Sequence, residues 1–196
     1  INNTCIHCGH CVAICPEDAV SPDFGTIKSL EESTITSDGF RNLSAGIRSC
    51  RSYLKKSVSE ETIQALIENM KHYPSASNTR PVQITVVQTA ENVQKLNDQT
   101  TNSLIKTLKL VTNPAIRPIV KILAPSLKVD SLKKYKDQFI ERQESNTSQV
   151  CHHAPVVMLF HGPASKLGMA KTDADIWATY TSIYANTMGL GTCFIG

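Results

Sequence analysis

Amphipathic helical stretches interspersed with β-branched runs predict an α+β fold for this 196-residue chain, preceded by a cysteine-rich stretch with too few apolar groups to belong to the same core. Three observations carry this reading. A capped amphipathic segment follows Ser59, two short β-rich runs lie at Gln83–Val87 and Pro155–Phe160, and four of the seven cysteines crowd between Cys5 and Cys15.

Taken in order, residues 1–25 are rich in cysteine and short of large apolar groups, so their folding needs a metal centre. Residues 26–42, with Ser29, Glu31, Glu32, Ser33, Thr34, Ser37, Asp38 and Gly39, read as a polar linker. Residues 43–196 form the main domain. Within it Ser59 is placed to cap a helix from Glu60 to about Lys71. Glu60 and Glu61 suit the positive end of that helix, Ile63, Leu66, Ile67 and Met70 make one apolar stripe, and Val58 stands where a hydrophobic staple to Ile63 would form. The loop containing Pro74, Ser75, Ser77, Asn78 and Pro81 leads into the strand Gln83–Val87.

A helix is expected over Glu91 to about Leu110. Beyond it Pro114, Pro118 and Pro125 divide the chain into short pieces before a polar helix near Asp130–Gln143. Pro155–Phe160 reads as a buried strand ended by Gly162-Pro163. A last helix is expected to start at Thr172, with Asp175 completing a capping box, Ile176, Tyr180, Ile183, Tyr184 and Met188 on its apolar face, Trp177 and Tyr180 in the core, and Gly189 as its stop. No internal repeat is visible in the sequence.

A composition of 41% hydrophobic and 19% charged residues is that of a globular chain. The net charge of +3 is spread among acids, which argues against a nucleic-acid footprint. The longest apolar stretch, Ile119–Leu127, is broken by Lys121 and Pro125 and falls short of the ~20 residues of a membrane helix. Residues 1–4 show no signal-peptide pattern, so a cytoplasmic location is the default expectation. The chain opens at Ile1 without methionine and stops at Gly196 directly after the strand-like run Thr192–Ile195, so it is expected to be truncated at both ends.

The run Cys5-Ile6-His7-Cys8-Gly9-His10-Cys11-Val12-Ala13-Ile14-Cys15-Pro16 has the C-x2-C-x2-C-x3-C-P spacing of bacterial ferredoxins, which assigns Cys5, Cys8, Cys11 and Cys15 to a 4Fe-4S cluster. Thiolates two residues apart on a tight loop reach three irons of one cube. Gly9 lets the backbone turn its amides toward sulfur, and Pro16 sets the exit. Zinc is the rival, but structural zinc sites favour two separated ligand pairs. In two-cluster ferredoxins the fourth cysteine serves a second cube, a role open to Cys15. His7 and His10 read as solvent-facing, and Cys50, Cys151 and Cys193 as small buried hydrophobes. His152-His153 is either a pocket lining or, more simply, loop.

Three further signals together resemble the FMN-dependent nitroreductase family, in particular members with an N-terminal ferredoxin-like domain. Arg48-Ser49-Cys50-Arg51-Ser52-Tyr53 is similar to the family's R-R-S-x-R-x-F/Y opening, and Pro74-Ser75-Ala76-Ser77-Asn78-Thr79-Arg80-Pro81 to its P-S-x-x-N-x-Q-P loop. Gly189-Leu190-Gly191-Thr192-Cys193-Phe194-Ile195-Gly196 is similar to its G-L-G-T-C-W-I-G. The resemblance implies a mixed sheet flanked by helices. It also implies FMN held by Arg48, Ser49, Arg51, Ser75, Asn78, Arg80, Ile195 and Gly196, with Arg51 at the pyrimidine edge and the Gly196 amide at N5. Arginine suits this task because its fixed, forked donors match phosphate and ring oxygens. The sequence departs from the pattern at Ile47, which replaces an arginine, at Arg80, which replaces a glutamine, and in lacking the basic residues that finish the phosphate site.

The expectation is an FMN-dependent oxidoreductase in which the cluster feeds electrons to flavin and the flavin reduces an organic acceptor such as a nitro compound or quinone. No protein acid or base is needed, because the reactive atom is flavin N5. The resemblance implies a homodimer with FMN at the subunit interface, a low-potential donor, either ferredoxin or nicotinamide, and a small-molecule acceptor. The alternative is an electron-transfer or regulatory protein without turnover, to which the loss of arginine at Ile47 gives some weight.

Overall fold

The computed structural model describes residues 5–17, 19–21, 33–124, 126–145, 150–164 and 169–195. Its elements are α1 (His10–Ala13), α2 (Ser37–Gly46), α3 (Glu60–Met70), a single 3-10 turn at Ala76–Asn78, β1 (Gln83–Gln88), α4 (Ala90–Val111), α5 (Arg117–Leu123), α6 (Val129–Glu144), β2 (Val156–His161) and α7 (Met169–Thr187). Among the described residues β1 and β2 pair in a two-stranded sheet. No described helix is long and apolar enough to cross a membrane.

Most elements follow their local chemistry. Ser59 Oγ accepts the Thr62 amide at 3.2 Å and starts α3, and the stripe it carries buries Ile63 and Leu66. Thr89 Oγ1 accepts the Asn92 amide at 3.3 Å and starts α4. Gly189 (φ +74) closes α7 through hydrogen bonds from Leu190 N to Ala185 O at 2.9 Å and from Gly189 N to Asn186 O at 3.0 Å. This is the paired C-terminal motif that a left-handed glycine permits.

The structure departs from the sequence reading in several places. Residues 37–42, assigned to the polar linker, lie in α2, which Thr36 starts by accepting the Gly39 amide at 3.1 Å; residues 26–32 of that stretch lie outside the described residues. Pro118 does not interrupt the chain but sits in the first turn of α5, where its missing N–H costs nothing. Pro125 lies outside the described residues. α7 is helical from Met169, ahead of the expected Thr172 start, because Met169-Ala170-Lys171 are good helix formers with no glycine or proline to stop them. Asp175 consequently pairs with Lys171 at 3.1 Å rather than completing a cap. Strand β2 is half-buried rather than buried, since each strand of a two-stranded sheet keeps an edge. The Thr192–Ile195 run forms a single parallel bridge, Ser49 with Thr192, instead of a strand.

Two compact units divide the chain. The first comprises Ile1–Ile47, Gln64–Ile84 and Phe160–Leu190. Its core is Tyr73, Val82 and Trp177, with Ile67, Met70, Ile84, Phe160, Ala174 and Ile176 packed around them. Tyr73 stacks on Trp177 with centroids 4.8 Å apart, and Phe160 meets Trp177 edge-on at 5.8 Å. Trp177 is thus core, but Tyr180 is 44% exposed and Met188 also faces outward. The buried face of α7 is instead Asp173, Trp177, Thr181, Ser182 and Ala185. Small residues there admit close neighbours, and Thr181 satisfies its hydroxyl within the helix, donating to Trp177 O at 2.9 Å.

The second unit comprises Arg48–Ile63, Thr85–Leu159 and Gly191–Gly196. Here α4 buries Val93, Asn97, Thr101, Ile105 and Leu108 and packs against α6. Buried Asn97 uses Oδ1 to accept the amides of Val150 at 3.1 Å and Cys151 at 3.2 Å, fixing the approach to His152 and His153.

Candidate functional site

In the first unit the cysteine run winds around Gly9, whose φ of +73 suits glycine at the turn into α1. Val12 N and Ala13 N both donate to Gly9 O, at 3.1 and 3.0 Å. Cys8 and Cys11 are exposed, Cys5 and Cys15 are half-buried, and none of the seven cysteines is in a disulfide. Backbone amides reach two of the expected ligand sulfurs: His7 N donates to Cys5 Sγ at 3.4 Å and Ala19 N to Cys15 Sγ at 3.3 Å. His7 and His10 face solvent, as expected.

Among the described residues no three His, Cys, Asp or Glu side chains are gathered so as to hold a metal ion. An iron-sulfur cube takes its thiolates at separate corners, wider apart than the ligands of one ion, and amide-to-sulfur hydrogen bonds offset its negative charge. The four thiols, the two N–H···S contacts and the glycine turn fit that group.

Also in the first unit, the turn from Ser75 to Arg80 presents three of the expected flavin residues. Ser75 and Asn78 are half-buried and Arg80 is exposed. The turn is built on Asp173, which is 1% exposed and whose Oδ1 accepts the Ala76 amide at 3.2 Å. Asp173 Oδ2 has no hydrogen-bond partner among the described residues. Inside the turn, Arg80 N donates to Ser75 Oγ at 3.0 Å and Thr79 Oγ1 to Ala76 O at 2.9 Å. Ser77, Asn78 and Arg80 all have left-handed backbone, with φ of +50, +54 and +44, a conformation that asparagine tolerates and that Ser and Arg side chains resist. The amide nitrogen of Asn78 donates to Ile6 O at 3.0 Å and to His7 O at 2.9 Å.

The remaining described flavin candidates lie in the second unit and are joined by backbone. Cys50 N donates to Thr192 O at 2.8 Å within the Ser49–Thr192 bridge, which aligns the Arg48–Arg51 segment with the Gly191–Ile195 segment. Arg48, Ser49, Arg51 and Ile195 are exposed; Gly196 lies outside the described residues. Gly191 is needed for this approach, because a Cβ there would stand 2.8 Å from Cys50 Sγ and 2.9 Å from Cys50 Cβ. Two exposed guanidinium-bearing residues on a segment bridged to a second one that depends on Gly191 fit an anionic, planar ligand such as a flavin phosphate and ring.

Two groups beside Arg51 lie outside the expected flavin residues: Tyr53, and His152, which the sequence left open between a pocket lining and a loop. Burial pushes Tyr53 up to about 12, with Cys193 and Cys50 adding to the rise and Arg51 opposing it. Burial lowers His152 below the usual histidine range, and Arg51, Arg142 and His153 lower it further. His152 and His153 both have left-handed backbone, φ +51 and +56. Cys151 is buried, as expected, and its thiol is pushed up by that burial; Cys50 and Cys193 are only half-buried. They stand at the bridged segments, which lie at the unit's surface and leave sulfur partly open. Asp173 was also missed, although an acid four residues before Trp177 on a helix face is a signal the sequence contains.

The nitroreductase family profile matches residues 45–196, and that of the 4Fe-4S binding domain matches residues 1–21. No curated protein sequence matches the chain. Among solved structures, an FMN-dependent nitroreductase from Clostridium difficile R20291 is similar with a TM-score of 0.56 and 21% identity, over 82% of this chain and 62% of that one. A nitroreductase with bound FMN from Bacteroides fragilis gives 0.58 and 17%, over 79% and 68%. The FMN-dependent nitroreductase NfnB from Mycobacterium smegmatis, in complex with NADPH, gives 0.52 and 20%, over 79% and 72%. The chain thus spans less than two thirds of the Clostridium protein, and these likenesses establish its fold. With the family profile covering most of its length, from residue 45 to residue 196, the chain belongs to the nitroreductase family and carries a 4Fe-4S binding domain ahead of it.

Proposed function

We propose that this chain is an FMN-dependent oxidoreductase in which electrons pass from an iron-sulfur cluster to flavin and on to an organic acceptor such as a nitro compound or a quinone. When bound, the cluster supplies single electrons and the flavin collects and delivers pairs of them. The observation that carries the reading is the Ser49–Thr192 bridge in a chain that also has a ferredoxin-type cysteine run, since the bridge aligns the Arg48–Arg51 segment with the Gly191–Ile195 segment within the nitroreductase match.

In this reading Cys5, Cys8, Cys11 and Cys15 hold the cluster. Arg48 and Ser49 offer donors to phosphate, and Arg51 presents positive charge to the pyrimidine edge, favouring the reduced, anionic flavin. Ser75, Asn78 and Arg80 border the flavin from their turn, and Ile195 and Gly196 offer backbone near N5. Residues 1–25 act as the cluster module, 26–42 as connection and 43–196 as the flavin domain, working in the cytoplasm as a homodimer that shares its flavin sites. The donor is a ferredoxin or a nicotinamide; the NADPH bound by the Mycobacterium relative supports the second.

The test is the cofactor content of the protein purified without oxygen. A yellow-brown sample with both FMN and cluster absorbance is expected, and Arg51→Ala should lose FMN retention while the cluster absorbance stays. Cluster absorbance without flavin in the parent protein overturns the enzyme and leaves an electron-transfer or regulatory role. Equal loss of both cofactors in the variant removes Arg51 from the site and makes it a folding residue.

A further inference from the structure

The cysteine run has little apolar surface with which to anchor itself: Ile6 and Ile14 are both exposed. Polar contacts must therefore set its position, and Asn78 makes two of them. Its Nδ2 gives one hydrogen to Ile6 O at 3.0 Å and the other to His7 O at 2.9 Å, two successive carbonyls lying between Cys5 and Cys8. The first carbonyl matters most, because it belongs to the peptide group whose other end is the His7 amide. That amide donates to Cys5 Sγ at 3.4 Å. A single peptide unit is thus hydrogen-bonded at its oxygen by Asn78 and at its nitrogen to a cluster-ligand sulfur.

Donation to a carbonyl polarises the peptide and makes its N–H a stronger donor, the cooperative strengthening of chained hydrogen bonds. A stronger N–H···S contact stabilises negative charge on the sulfur and favours the reduced cluster. Backbone strain is found at both ends of the link. His7 has φ +52 and Asn78 φ +54, flanked by Ser77 at +50 and Arg80 at +44. Asparagine tolerates this conformation, but His7, Ser77 and Arg80 keep it only when their surroundings over-determine it. Here the surroundings include the buried Asp173 carboxylate holding the Ala76 amide and the Ser75–Arg80 and Thr79–Ala76 contacts inside the turn.

We propose that Asn78 is a positioning residue that clamps the cluster-binding loop and, through the Ile6–His7 peptide, raises the reduction potential of the cluster on Cys5, Cys8, Cys11 and Cys15. With both Nδ2 hydrogens given to the loop, Asn78 is left with Oδ1, which can accept a hydrogen bond from a flavin N–H but not donate one. The clamp rests on the cluster half of the proposed function but needs no flavin.

The experiment is a redox titration of the cluster, followed by electron paramagnetic resonance, on the full chain with its cluster reconstituted. Iron, sulfide and FMN are measured in the same samples. Asn78→Ala is expected to shift the midpoint to lower potential and to speed cluster loss to a chelator. Asn78→Asp, which replaces both donors with a negative charge facing the two carbonyls, should shift it further. Midpoint and chelation rate unchanged in both variants overturn the proposal. If Asn78→Ala holds no cluster, Asn78→Gln decides, since it keeps both N–H donors: a regained cluster supports the clamp, and a cluster still absent overturns it. FMN lost from the variants with an unmoved midpoint overturns the clamp and leaves the oxidoreductase reading standing, whereas a midpoint shifted in the variants of a parent protein that lacks FMN does the reverse.

Discussion

Two stretches carry the described candidate flavin residues, and they are held by different means. The Ser75–Arg80 turn of the first unit is held by side chains: an Asp173 carboxylate on one backbone amide, a Ser75 hydroxyl on another, and strained residues between them. The Arg48–Arg51 segment of the second unit is held by backbone, a bridge to Thr192 with a 2.8 Å hydrogen bond, and by the empty space at Gly191 that permits it. The first arrangement aims particular side chains and is sensitive to the identity of its supports. The second presents exposed arginines whose own replacement should leave the backbone in place.

The largest effect expected from this contrast is that of Gly191→Ala. The new methyl would meet both Cβ and Sγ of Cys50 below 3.0 Å, so the bridged segments must separate. A stability loss of about 1–3 kcal/mol is expected from such overpacking, read by denaturant unfolding, with FMN retention falling and cluster content unchanged. Parent-like stability would mean that the close approach is not what holds this region.

A smaller effect is expected at Asp173. Removing the acceptor with Asp173→Ala strips the Ala76 amide of its partner and should cost about 1 kcal/mol, with the loss felt at the turn and at the cluster loop tied to Asn78. Asp173→Asn keeps an oxygen for that amide and removes a buried charge, so it should cost less than the alanine variant. The reverse order, by the same unfolding measurement, would show that the turn needs the charge and not the hydrogen bond.

The smallest expected effects come from titration beside Arg51. His152 has its folded value lowered by burial and by Arg51, Arg142 and His153, so the unfolded chain takes up protons first as pH falls. Its contribution is therefore in place above the ordinary histidine value and is lost as pH drops below it. His152→Gln should flatten that acid-side slope. Tyr53 is the opposite case: its folded value is raised from 10.0 to about 12. Its contribution is present below the ordinary value and fades as pH rises toward about 12, which an ultraviolet titration of the phenolate would follow. A Tyr53 that ionises at the ordinary tyrosine value would place it outside the buried environment described.

The legible parts of the sequence were those whose physics is local. Ser59 and its acidic neighbours mark the start of α3, Gly189 marks the end of α7, and β-branched runs mark both strands. The cysteine spacing is itself a statement about which sulfurs reach one cube. What was not legible depends on partners distant in sequence. The apolar stripe expected for α7 is the face a helical wheel favours, yet the face chosen is the one that lets Trp177 stack on Tyr73 and lets Asp173 reach the Ala76 amide. Asn78 read as a turn residue facing flavin. That its amide nitrogen is given to Ile6 and His7, 72 and 71 positions away, is a property of how the first unit packs.

The sequence alone therefore determined the kinds of element and the presence of a 4Fe-4S binding domain, because capping, periodicity and thiolate spacing act within a few residues. Only the tertiary structure decided which groups serve those elements. A buried carboxylate, one amide with two hydrogens and a glycine without a Cβ acquire their roles from what folding brings against them, and neither propensity nor spacing encodes that contact.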